Sequence, residues 1–430
     1  MSDEEDLHRR EIPHLSFNRL KVLSALGRGA KGVVFLVKDE DRDEFLALKV
    51  ISKALIEKKG KAVAEGNEYR RVCFEQGVLS LLRHPLFPRL RGVLDTDKLV
   101  GYAIDYCPGR DLNVLRKRQS EKMFSDDIIR FYAAELVIAL EYLHKLGIAY
   151  RDLKPENVMV QENGHIMMVD FDLSTKLSPR TTPASSPCSS NSVATSRNSL
   201  SSKKRPSPFH RLCNSGISPE DLASMNGHSE NSARAESDST EKSNSFVGTE
   251  EYVAPEIISG EGHNFAVDWW SLGVLLYEML YGVTPFKGSN RKETFYRILT
   301  KTPDLNGEAT PLRDLIRKLL EKDPKQRIEL EEIKGHDFFR GMDWESVVQI
   351  SRPPFIPENV DNDIEGNNNN NTNIDVESVV QGIFQNGDVE KNKKTDQKQS
   401  GDYAEIVNNK KVWNGAFNHH PTQTENFLVF

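Results

Sequence analysis

Eight residues, Tyr150 to Asn157, constrain most strongly what this chain can fold into. They read Tyr-Arg-Asp-Leu-Lys-Pro-Glu-Asn. Asp152 can accept a proton from a hydroxyl, Lys154 can neutralise charge on a phosphate, and Asn157 can offer an amide oxygen to a divalent cation. Phosphoryl transfer requires that a protein position the reactants and stabilise charge in this way, with little covalent chemistry. The segment therefore predicts a phosphoryl-transfer loop; the alternative is a polar surface turn after a helix.

Length and composition limit the classes of protein to which the chain can belong. At 430 residues, the chain has room for two or three domain-sized units, or for one two-lobed domain with extensions. A formal net charge of −7 argues against bulk nucleic-acid binding. The four scattered cysteines suit neither a disulfide framework nor a zinc site, which indicates a reducing intracellular compartment.

The sequence offers no clear targeting or membrane segment. The N-terminus is acidic where a signal peptide would be basic and then apolar, and Ser2 excludes the myristoylation pattern. The longest apolar region, Phe265 to Val283, is interrupted by Asp268 and Glu278, so we expect a buried core helix there. We therefore expect a protein of the cytoplasm or nucleus, with no nucleic-acid partner and at most peripheral contact with the plasma membrane.

Strands and a glycine-rich turn are predicted between Leu20 and Ile51. A Gly-x-Gly-x-x-Gly spacing alone also opens the helix of dinucleotide-binding folds. The β-branched and aromatic run Val33 to Val37 favours a strand instead, so the glycines would lie in a hairpin flap over phosphates. Lys49 on the next strand would reach the α and β phosphates of a nucleotide. The candidate nucleotide contacts of this region are Leu26, Gly27, Gly29, Gly32, Val34, Ala47 and Lys49.

A lysine in this role needs a carboxylate that holds it in place. Residues Glu65 to Leu82 look helical, and Glu75 lies among apolar residues at helical spacing. We choose Glu75 as the partner of Lys49, with Glu68 as the alternative.

The segment from Leu99 to Gly109 reads as a buried strand that runs into a turn, the natural place for a hinge between two lobes. Backbone groups near Asp105 and Cys107 would bind an adenine edge, with Ile104 behind it. Cys107 is expected to form a small apolar wall, the alternative being a reactive thiol.

An amphipathic helix from Ser125 to Leu146 would deliver the chain to the phosphoryl-transfer loop. After the loop, the segment from His165 to Asp172 is predicted to be a strand that ends on a carboxylate. Asp170 would hold Mg²⁺ together with Asn157, the ion bridging the phosphates of a nucleotide. The expected cofactors are ATP and Mg²⁺.

With these motifs, the chain resembles a protein kinase of the serine/threonine class, and within it the AGC group. The resemblance runs from about Phe17 to Phe339 and includes Ala254-Pro-Glu256, Asp268-Trp-Trp-Ser-Leu-Gly273 and Arg327. It implies an α+β fold of two lobes, a small β-rich lobe and a larger helical lobe. It also implies that Glu256 pairs with Arg327 and that Asp268 supports the catalytic loop.

Two positions depart from the common kinase pattern. Tyr150 stands where many kinases have histidine, and Asp172 where most have glycine. Because aspartate tolerates positive φ better than most residues, we expect altered loop switching and retained metal binding. With a long insert as well, the sequence most resembles the plant AGC VIII kinases. This implies a place in a signalling cascade, of oxidative stress or defence.

The resemblance also implies the domain boundaries. An acidic extension covers residues 1–16, the small lobe 17–106, the large lobe 107–339 and an AGC-type tail 340–430. A serine-rich insert, 177–242, interrupts the activation segment and is expected to be disordered. Within it, Lys203-Lys-Arg205 is either a nuclear-import or acidic-lipid patch or a solvated run of charge.

The segment after the insert contains the expected activation site. Ser245-Phe-Val-Gly-Thr249-Glu-Glu-Tyr252 resembles the AGC site that the phosphoinositide-dependent kinase modifies. A phosphate on Ser245 would add about two negative charges close to Arg151 and order the segment. Ser243 is the alternative site, and the proline that usually follows the threonine is Glu250 here.

Substrate preference is inferred from the same resemblance. Asp111, Glu156 and Glu278 match the AGC positions whose carboxylates receive arginines upstream of the phosphoacceptor, and Thr249 belongs with them as a substrate-recognition residue. The expected partners are proteins with basic residues upstream of a serine or threonine, including downstream kinases of a cascade.

The tail carries two further features. Asp343-Trp344 and Pro353 to Pro357 resemble the AGC tail that wraps back across the lobes. Phe427 and Phe430 resemble the hydrophobic motif that docks in a small-lobe pocket, of this chain or of the upstream phosphoinositide-dependent kinase. A frayed terminus is the alternative.

The sequence thus predicts a serine/threonine kinase that is switched on by phosphorylation of Ser245 and by docking of its C-terminal motif. The alternative is a catalytically weak pseudokinase scaffold, for which Asp172 and the insert argue. The presence of four residues weighs against that alternative: Lys49, Asp152, Asn157 and Asp170.

Overall fold

The computed structural model describes residues 12–29, 32–54, 56, 67–119, 121–177, 247–351, 353–357, 374–385 and 428–429. These residues form a small lobe built on a β-sheet and a larger lobe built mainly from helices, which confirms the expected fold class. Several predicted features lie outside the described residues: the insert beyond Leu177 with Lys203 to Arg205, both Ser243 and Ser245, and both Phe427 and Phe430.

Among the described residues, the small lobe is built on one sheet of seven strands. They are β1 (His14–Leu15), β2 (Leu20–Arg28), β3 (Gly32–Asp39), β4 (Glu44–Ser52), β5 (Leu90–Asp95), β6 (Leu99–Asp105) and a C-terminal strand (Leu428–Val429). Their order is β1-β5-β6-β4-β3-β2, with the C-terminal strand beside β2. The two outermost pairings are parallel and the others antiparallel. Because β1 pairs with β5, the sheet begins before the boundary expected at Phe17.

The two faces of this sheet contact different parts of the molecule. Side chains alternate along a strand, so Leu46 and Leu48 of β4 point to one face while Ala47 and Lys49 point to the other. The first pair packs into an apolar cluster on the outer face of the sheet. Lys49 reaches Asp170 of the large lobe, so its face borders the cleft between the lobes.

The large lobe surrounds the second half of the cleft. Its helices are α2 (Leu112–Lys117), α3 (Asp126–Lys145), α4 (Pro255–Ser259), α5 (Ala266–Tyr281), α6 (Arg291–Thr300), α7 (Pro311–Leu319) and α8 (Leu330–Lys334); helix α1 (Asn67–Leu81) belongs to the small lobe. Its short strands are β7 (Ile148–Ala149), β8 (Val158–Val160), β9 (Ile166–Met168) and β10 (Thr175–Lys176). Strand β7 pairs with β10 and β8 pairs with β9, both antiparallel. The pairing of β8 with β9 brings the segment after Asn157 next to the strand that leads to Asp170.

Helix α3 follows the apolar spacing that predicted it. Tyr132, Leu136, Leu140 and Leu143 recur three or four residues apart and are fully buried. Ser125 occupies the N-cap position, but its side chain makes no capping hydrogen bond there. Burial of one face therefore stabilises this helix more than its cap does.

Helix α5 is the buried core helix expected between Phe265 and Val283. It ends at Gly282, whose left-handed φ of 74° a residue with a Cβ would adopt only under strain. A Cβ at Gly273 would lie 2.8 Å from the Cβ of Leu319, so glycine permits the close approach of α5 to α7. No helix in the described part of the chain is long and apolar enough to cross a membrane.

The tail returns to the small lobe as helix α9 (Val376–Gln385). Val376 and Val380 are buried in the apolar cluster on the outer face of the sheet. An ion pair of 2.8 Å between Lys98 and Glu377 lies at the exposed edge of this contact. The helix thus covers apolar surface of β-strands far away in sequence.

We predict that Val380→Asp lowers the free energy of unfolding of the small lobe by about 2–4 kcal/mol, because it places a charge in an apolar contact. The matched control is Glu377→Gln, which removes only a solvent-screened ion pair and leaves the midpoint nearly unchanged. Thermal unfolding of the three proteins checks this. Equal midpoints for all three would show that α9 does not hold the sheet.

Candidate active site

The backbone of the predicted catalytic loop is fixed by one buried carboxylate. Asp268 of α5 is fully buried, and its Oδ1 accepts a hydrogen bond of 2.7 Å from the backbone N–H of Arg151. Its Oδ2 accepts from the N–H of Tyr150 at 2.9 Å and lies 2.8 Å from Nε2 of His144. These bonds hold Arg151 in a left-handed conformation with φ of 68°, which ordinary residues adopt only at a cost.

The functional side chains of the loop meet at Asp152. Lys154 Nζ donates to Asp152 Oδ2 at 2.9 Å, and the hydroxyl of Thr249 donates to Oδ1 at 2.8 Å. Asn157 Nδ2 donates to Oδ2 at 2.9 Å and to the backbone carbonyl of Asp152 at 2.9 Å. Both carboxylate oxygens are therefore oriented, and the Thr249 hydroxyl marks where another hydroxyl can meet Asp152.

A buried charge network joins the two lobes at Lys49. Its Nζ donates to both oxygens of Glu75, at 3.0 and 3.2 Å, and to Asp170 Oδ1 at 3.1 Å. Burial alone would lower the pKa of Lys49, but the charges of Asp170 and Glu75 outweigh it and raise that pKa well above its ordinary value. The structure thus brings Lys49 to Glu75, the partner chosen from the sequence.

Tyr102 belongs to this network and was not foreseen from the sequence. It lies directly opposite Lys49 in the β4–β6 pairing and is almost fully buried. Burial raises the pKa of Glu75, and the nearby hydroxyl of Tyr102 opposes that shift. The backbone N–H of Phe171 donates to Glu75 Oε1 at 3.2 Å. Glu75 is therefore held by Lys49 and by the segment that carries Asp170, with the hydroxyl of Tyr102 nearby.

Asn157 and Asp170 offer oxygen atoms for a divalent cation. Nδ2 of Asn157 is engaged by Asp152, whereas its Oδ1 is buried without a hydrogen-bond partner among the described residues. The N–H of Val169 donates to the carbonyl of Asn157 at 3.0 Å, which places the following Asp170 beside it. An orphaned amide oxygen next to a carboxylate fits Mg²⁺, a cation that prefers oxygen ligands. The described residues hold no cluster of three His, Cys, Asp or Glu that could hold a metal ion.

The predicted nucleotide contacts surround the inner face of the small-lobe sheet. Gly27 pairs with Val34 across β2 and β3, and Leu46 pairs with Asp105 across β4 and β6. A Cβ at Gly32 would lie 2.4 Å from the carbonyl oxygen of Val50, so the close strand approach requires glycine. The other predicted residues lie on the same strands or next to them: Leu26, Gly29 and Ala47.

Cys107 forms an apolar wall at the hinge, as expected. It packs with Met167 and Val169 in a buried cluster that Met159 borders. Burial raises the pKa of its thiol, whose sulfur hydrogen-bonds the carbonyl of Val160 at 3.0 Å. These three apolar neighbours could not be predicted from the sequence, because the sequence of a short apolar strand does not show which side chain will face a hinge.

Arg151, the predicted receiver of phosphate, lies near both a carboxylate, Asp268, and a second arginine, Arg71. Its Nε donates to the carbonyl of Leu173 at 2.8 Å, and Nη1 lies 3.2 Å from Nε2 of His263. Burial lowers its pKa to about 10; Asp268 opposes this shift and the positive charge of Arg71 adds to it. Two guanidinium groups near each other favour a bound anion.

The predicted substrate residues line one groove of about 840 Å³, in which Asp111, Glu156, Thr249 and Glu278 all take part. Asp111 caps α2 by accepting from the N–H of Val114 at 2.8 Å. Glu278 already has partners, Nη2 of Arg116 at 2.8 Å and the hydroxyl of Tyr252. A substrate cation would therefore share Glu278 with Arg116.

The two departures from the common kinase pattern differ in their structural effects. The left-handed φ of 61° falls on Asp170, and Asp172 is not among the described residues with positive φ. Asp172 therefore has no left-handed conformation to tolerate, and the altered loop switching expected from it loses its structural basis. The hydroxyl of Tyr150 donates to the carbonyl of Val169 at 2.5 Å, which ties the catalytic loop to the segment of Asp170.

We predict that Tyr102→Phe lowers kcat/KM for ATP by roughly tenfold, because the hydroxyl near Glu75 favours the charged carboxylate and loss of a polar partner of a buried charge costs about 1–3 kcal/mol. Tyr132→Phe is the matched control: Tyr132 is fully buried and its hydroxyl has no partner among the described residues. Steady-state kinetics of phosphate transfer measure both variants. Equal values for the two would show that Tyr102 does not position Glu75.

Comparison with known proteins agrees with this geometry. The protein kinase domain family matches residues 20–197 and 229–339. The serine/threonine-protein kinase OXI1 of Arabidopsis thaliana is 62% identical over 427 residues, which cover 97% of this chain and 97% of that protein. The serine/threonine-protein kinase UCN of Arabidopsis thaliana is 42% identical, over 82% of this chain and 87% of that protein. The serine/threonine-protein kinase AGC1-5 of Arabidopsis thaliana is 40% identical, over 81% of this chain and 61% of that protein.

The match to protein kinases agrees with two features of the structure: the loop at Asp152, and the ion pair between Lys49 and Glu75. The chain belongs to the protein kinase family, and within it to the serine/threonine kinases of the AGC group.

Proposed function

We propose that the chain transfers the γ-phosphate of ATP to serine or threonine hydroxyls that follow basic residues in protein substrates. The observation that carries this proposal is the arrangement at Asp152, where a hydroxyl and the ammonium group of Lys154 both lie within hydrogen-bond distance. A phosphoryl transfer needs a group to orient the attacking hydroxyl and a cation to stabilise the moving charge.

Each residue of the cleft has a role in this reaction. Asp152 orients the substrate hydroxyl and accepts its proton, and Lys154 stabilises negative charge on the transferred group. Lys49, held by Glu75, positions the α and β phosphates. Asn157 and Asp170 would hold Mg²⁺, which supplies charge neutralisation at the phosphates when bound.

The substrate preference follows from the charge of the groove. Asp111, Glu156 and Glu278 line it, and one oxygen of Asp111 is buried without a partner among the described residues. A guanidinium from the substrate would supply that missing partner, because a buried unpaired oxygen costs free energy. These contacts support a preference for arginine upstream of the phosphoacceptor.

We further propose that phosphorylation of Ser245 activates the enzyme, with Ser243 as the alternative. The support is a second guanidinium, that of Arg71 of α1, whose charge acts on Arg151. A phosphate there would link α1, which carries Glu75, to the catalytic loop through charge-assisted hydrogen bonds. The ion pairs of Lys49 also join these two lobes. A phosphate link between α1 and the catalytic loop would therefore stabilise the arrangement of the lobes that is competent for catalysis.

The upstream kinase would be the phosphoinositide-dependent kinase, recruited through Phe427 and Phe430. The described residues between them, Leu428 and Val429, pair with Gly27 and Arg28 of β2, which supports a tail that reaches the small lobe. By its resemblance to the plant AGC VIII kinases, we place the enzyme in a cascade of oxidative stress or defence signalling, with downstream kinases among its substrates.

Phosphate transfer from labelled ATP tests this proposal, with serine peptides that carry arginines or alanines upstream. We predict that the arginine peptide is the better substrate by at least about tenfold, since charge-assisted contacts contribute about 1.5–3 kcal/mol. Treatment with an AGC-activating kinase should raise the rate of the wild type and of Ser243→Ala, but not that of Ser245→Ala.

Three outcomes contradict parts of this account. Equal rates on both peptides would refute the basic preference. Activation lost in Ser243→Ala and kept in Ser245→Ala would move the activation site to Ser243. Failure of the activated wild type to phosphorylate any peptide would favour the pseudokinase scaffold.

A further inference from the structure

Most carboxylates that line the substrate groove already have partners. Glu251 pairs with Lys287 at 3.2 Å and accepts a hydrogen bond from Thr284. Glu156 accepts from Asn113 at 2.8 Å. Glu278 is engaged as described above, and Oδ1 of Asp111, but not its Oδ2, has a partner among the described residues. These contacts fix the side chains in place, and Lys287 and Arg116 also neutralise part of the charge of Glu251 and Glu278.

Glu250 differs from these carboxylates. It lines the same groove and is half-buried. Among the described residues, no hydrogen bond or ion pair of its carboxylate is present. A carboxylate that is partly removed from water without a partner is unfavourable, and a cation that enters the groove relieves this cost.

The position of Glu250 relative to the chemistry is fixed by its neighbour. Thr249 donates its hydroxyl to Asp152 and receives a hydrogen bond of 3.2 Å from Lys154. Glu250 follows it directly and begins a short 3₁₀ helix, Glu250–Tyr252, whose last residue is buried. A phosphoacceptor at Asp152 therefore lies next to Thr249, and the residue beside the phosphoacceptor comes within reach of Glu250.

We propose that Glu250 is a specificity-determining residue that selects lysine or arginine directly beside the phosphoacceptor. The inference rests on the proposed phosphotransfer function and adds one subsite to it. The three carboxylates of the upstream sites are held by other contacts, whereas Glu250, which stands where the AGC activation site usually has proline, has no partner among the described residues. A second observation supports a cationic substrate: Oδ2 of Asp111, in the same groove, is fully buried and has no partner among the described residues.

A positional peptide library tests the inference. Each position within four residues of a fixed serine is varied, and phosphate incorporation is measured for the wild type and for Glu250→Gln. We expect the wild type to prefer arginine or lysine over alanine by at least about fivefold at one of the two flanking positions, the ratio expected of a partly exposed ion pair. Glu250→Gln should abolish that preference and keep the preference at upstream positions.

Two further variants sharpen the result. Glu250→Lys should shift the preference at the same flanking position toward aspartate or glutamate. Glu261→Gln removes the same charge from an exposed position outside the groove, so it should keep the wild-type pattern. A change in Glu261→Gln equal to that in Glu250→Gln would mean that net charge, and not a contact, sets the preference, and would overturn the inference.

The library also separates this inference from the proposed function. Wild-type phosphorylation without a basic preference at either flanking position overturns the role of Glu250 and leaves the phosphotransfer function standing. A flanking preference that is unchanged in Glu250→Gln likewise overturns it. No phosphate transfer to any peptide overturns the proposed function, and this inference with it.

Discussion

The buried ammonium group of Lys49 is the interaction on which the rest of the cleft depends. It binds carboxylates from helix α1 and from the segment after β9, so three elements of two lobes meet at one charge. Removal of any partner would leave a buried charge uncompensated, at a cost of several kcal/mol. The orientation of the lobes and the position of α1 are therefore set by electrostatic pairing as well as by apolar packing. Tyr102 adds a hydroxyl to the same network from the neighbouring strand.

The catalytic loop depends on a second buried carboxylate. Asp268 accepts hydrogen bonds from two successive backbone N–H groups of the loop and holds Arg151 with positive φ. Such strained conformations persist only where the surrounding structure determines them. This rigid support fixes Asp152, to which Thr249 and Lys154 are hydrogen-bonded. In the proposed function, these two residues define where the phosphoacceptor lies. The groove beyond it is lined by acids, and Glu250 is set apart there by its lack of a partner among the described residues.

Residues whose role depends on local spacing could be predicted from the sequence. The loop at Asp152, the strand that carries Lys49 and the core helix α5 follow from motifs and apolar periodicity. Tyr102 was missed because its role comes from its register opposite Lys49, which pairs residues far apart in the chain. Helix α9 was missed for a similar reason, since its apolar face packs against a sheet whose strands lie almost entirely before residue 106. The engagement of Glu278 by Arg116 is likewise a tertiary contact that charge patterns do not reveal.

The rate of phosphate transfer from ATP to a serine peptide, measured for the wild type and for Asp152→Asn, tests the assignment of this cleft most directly. Mg²⁺-dependent ATP binding is measured in parallel, and Asp337→Asn, on the exposed surface, serves as the matched control. We predict that Asp152→Asn loses about 10²–10⁴-fold in rate and retains ATP binding, because only the group that orients the hydroxyl is changed. Equal rates for Asp152→Asn and the wild type would contradict the assignment of Asp152 to proton transfer.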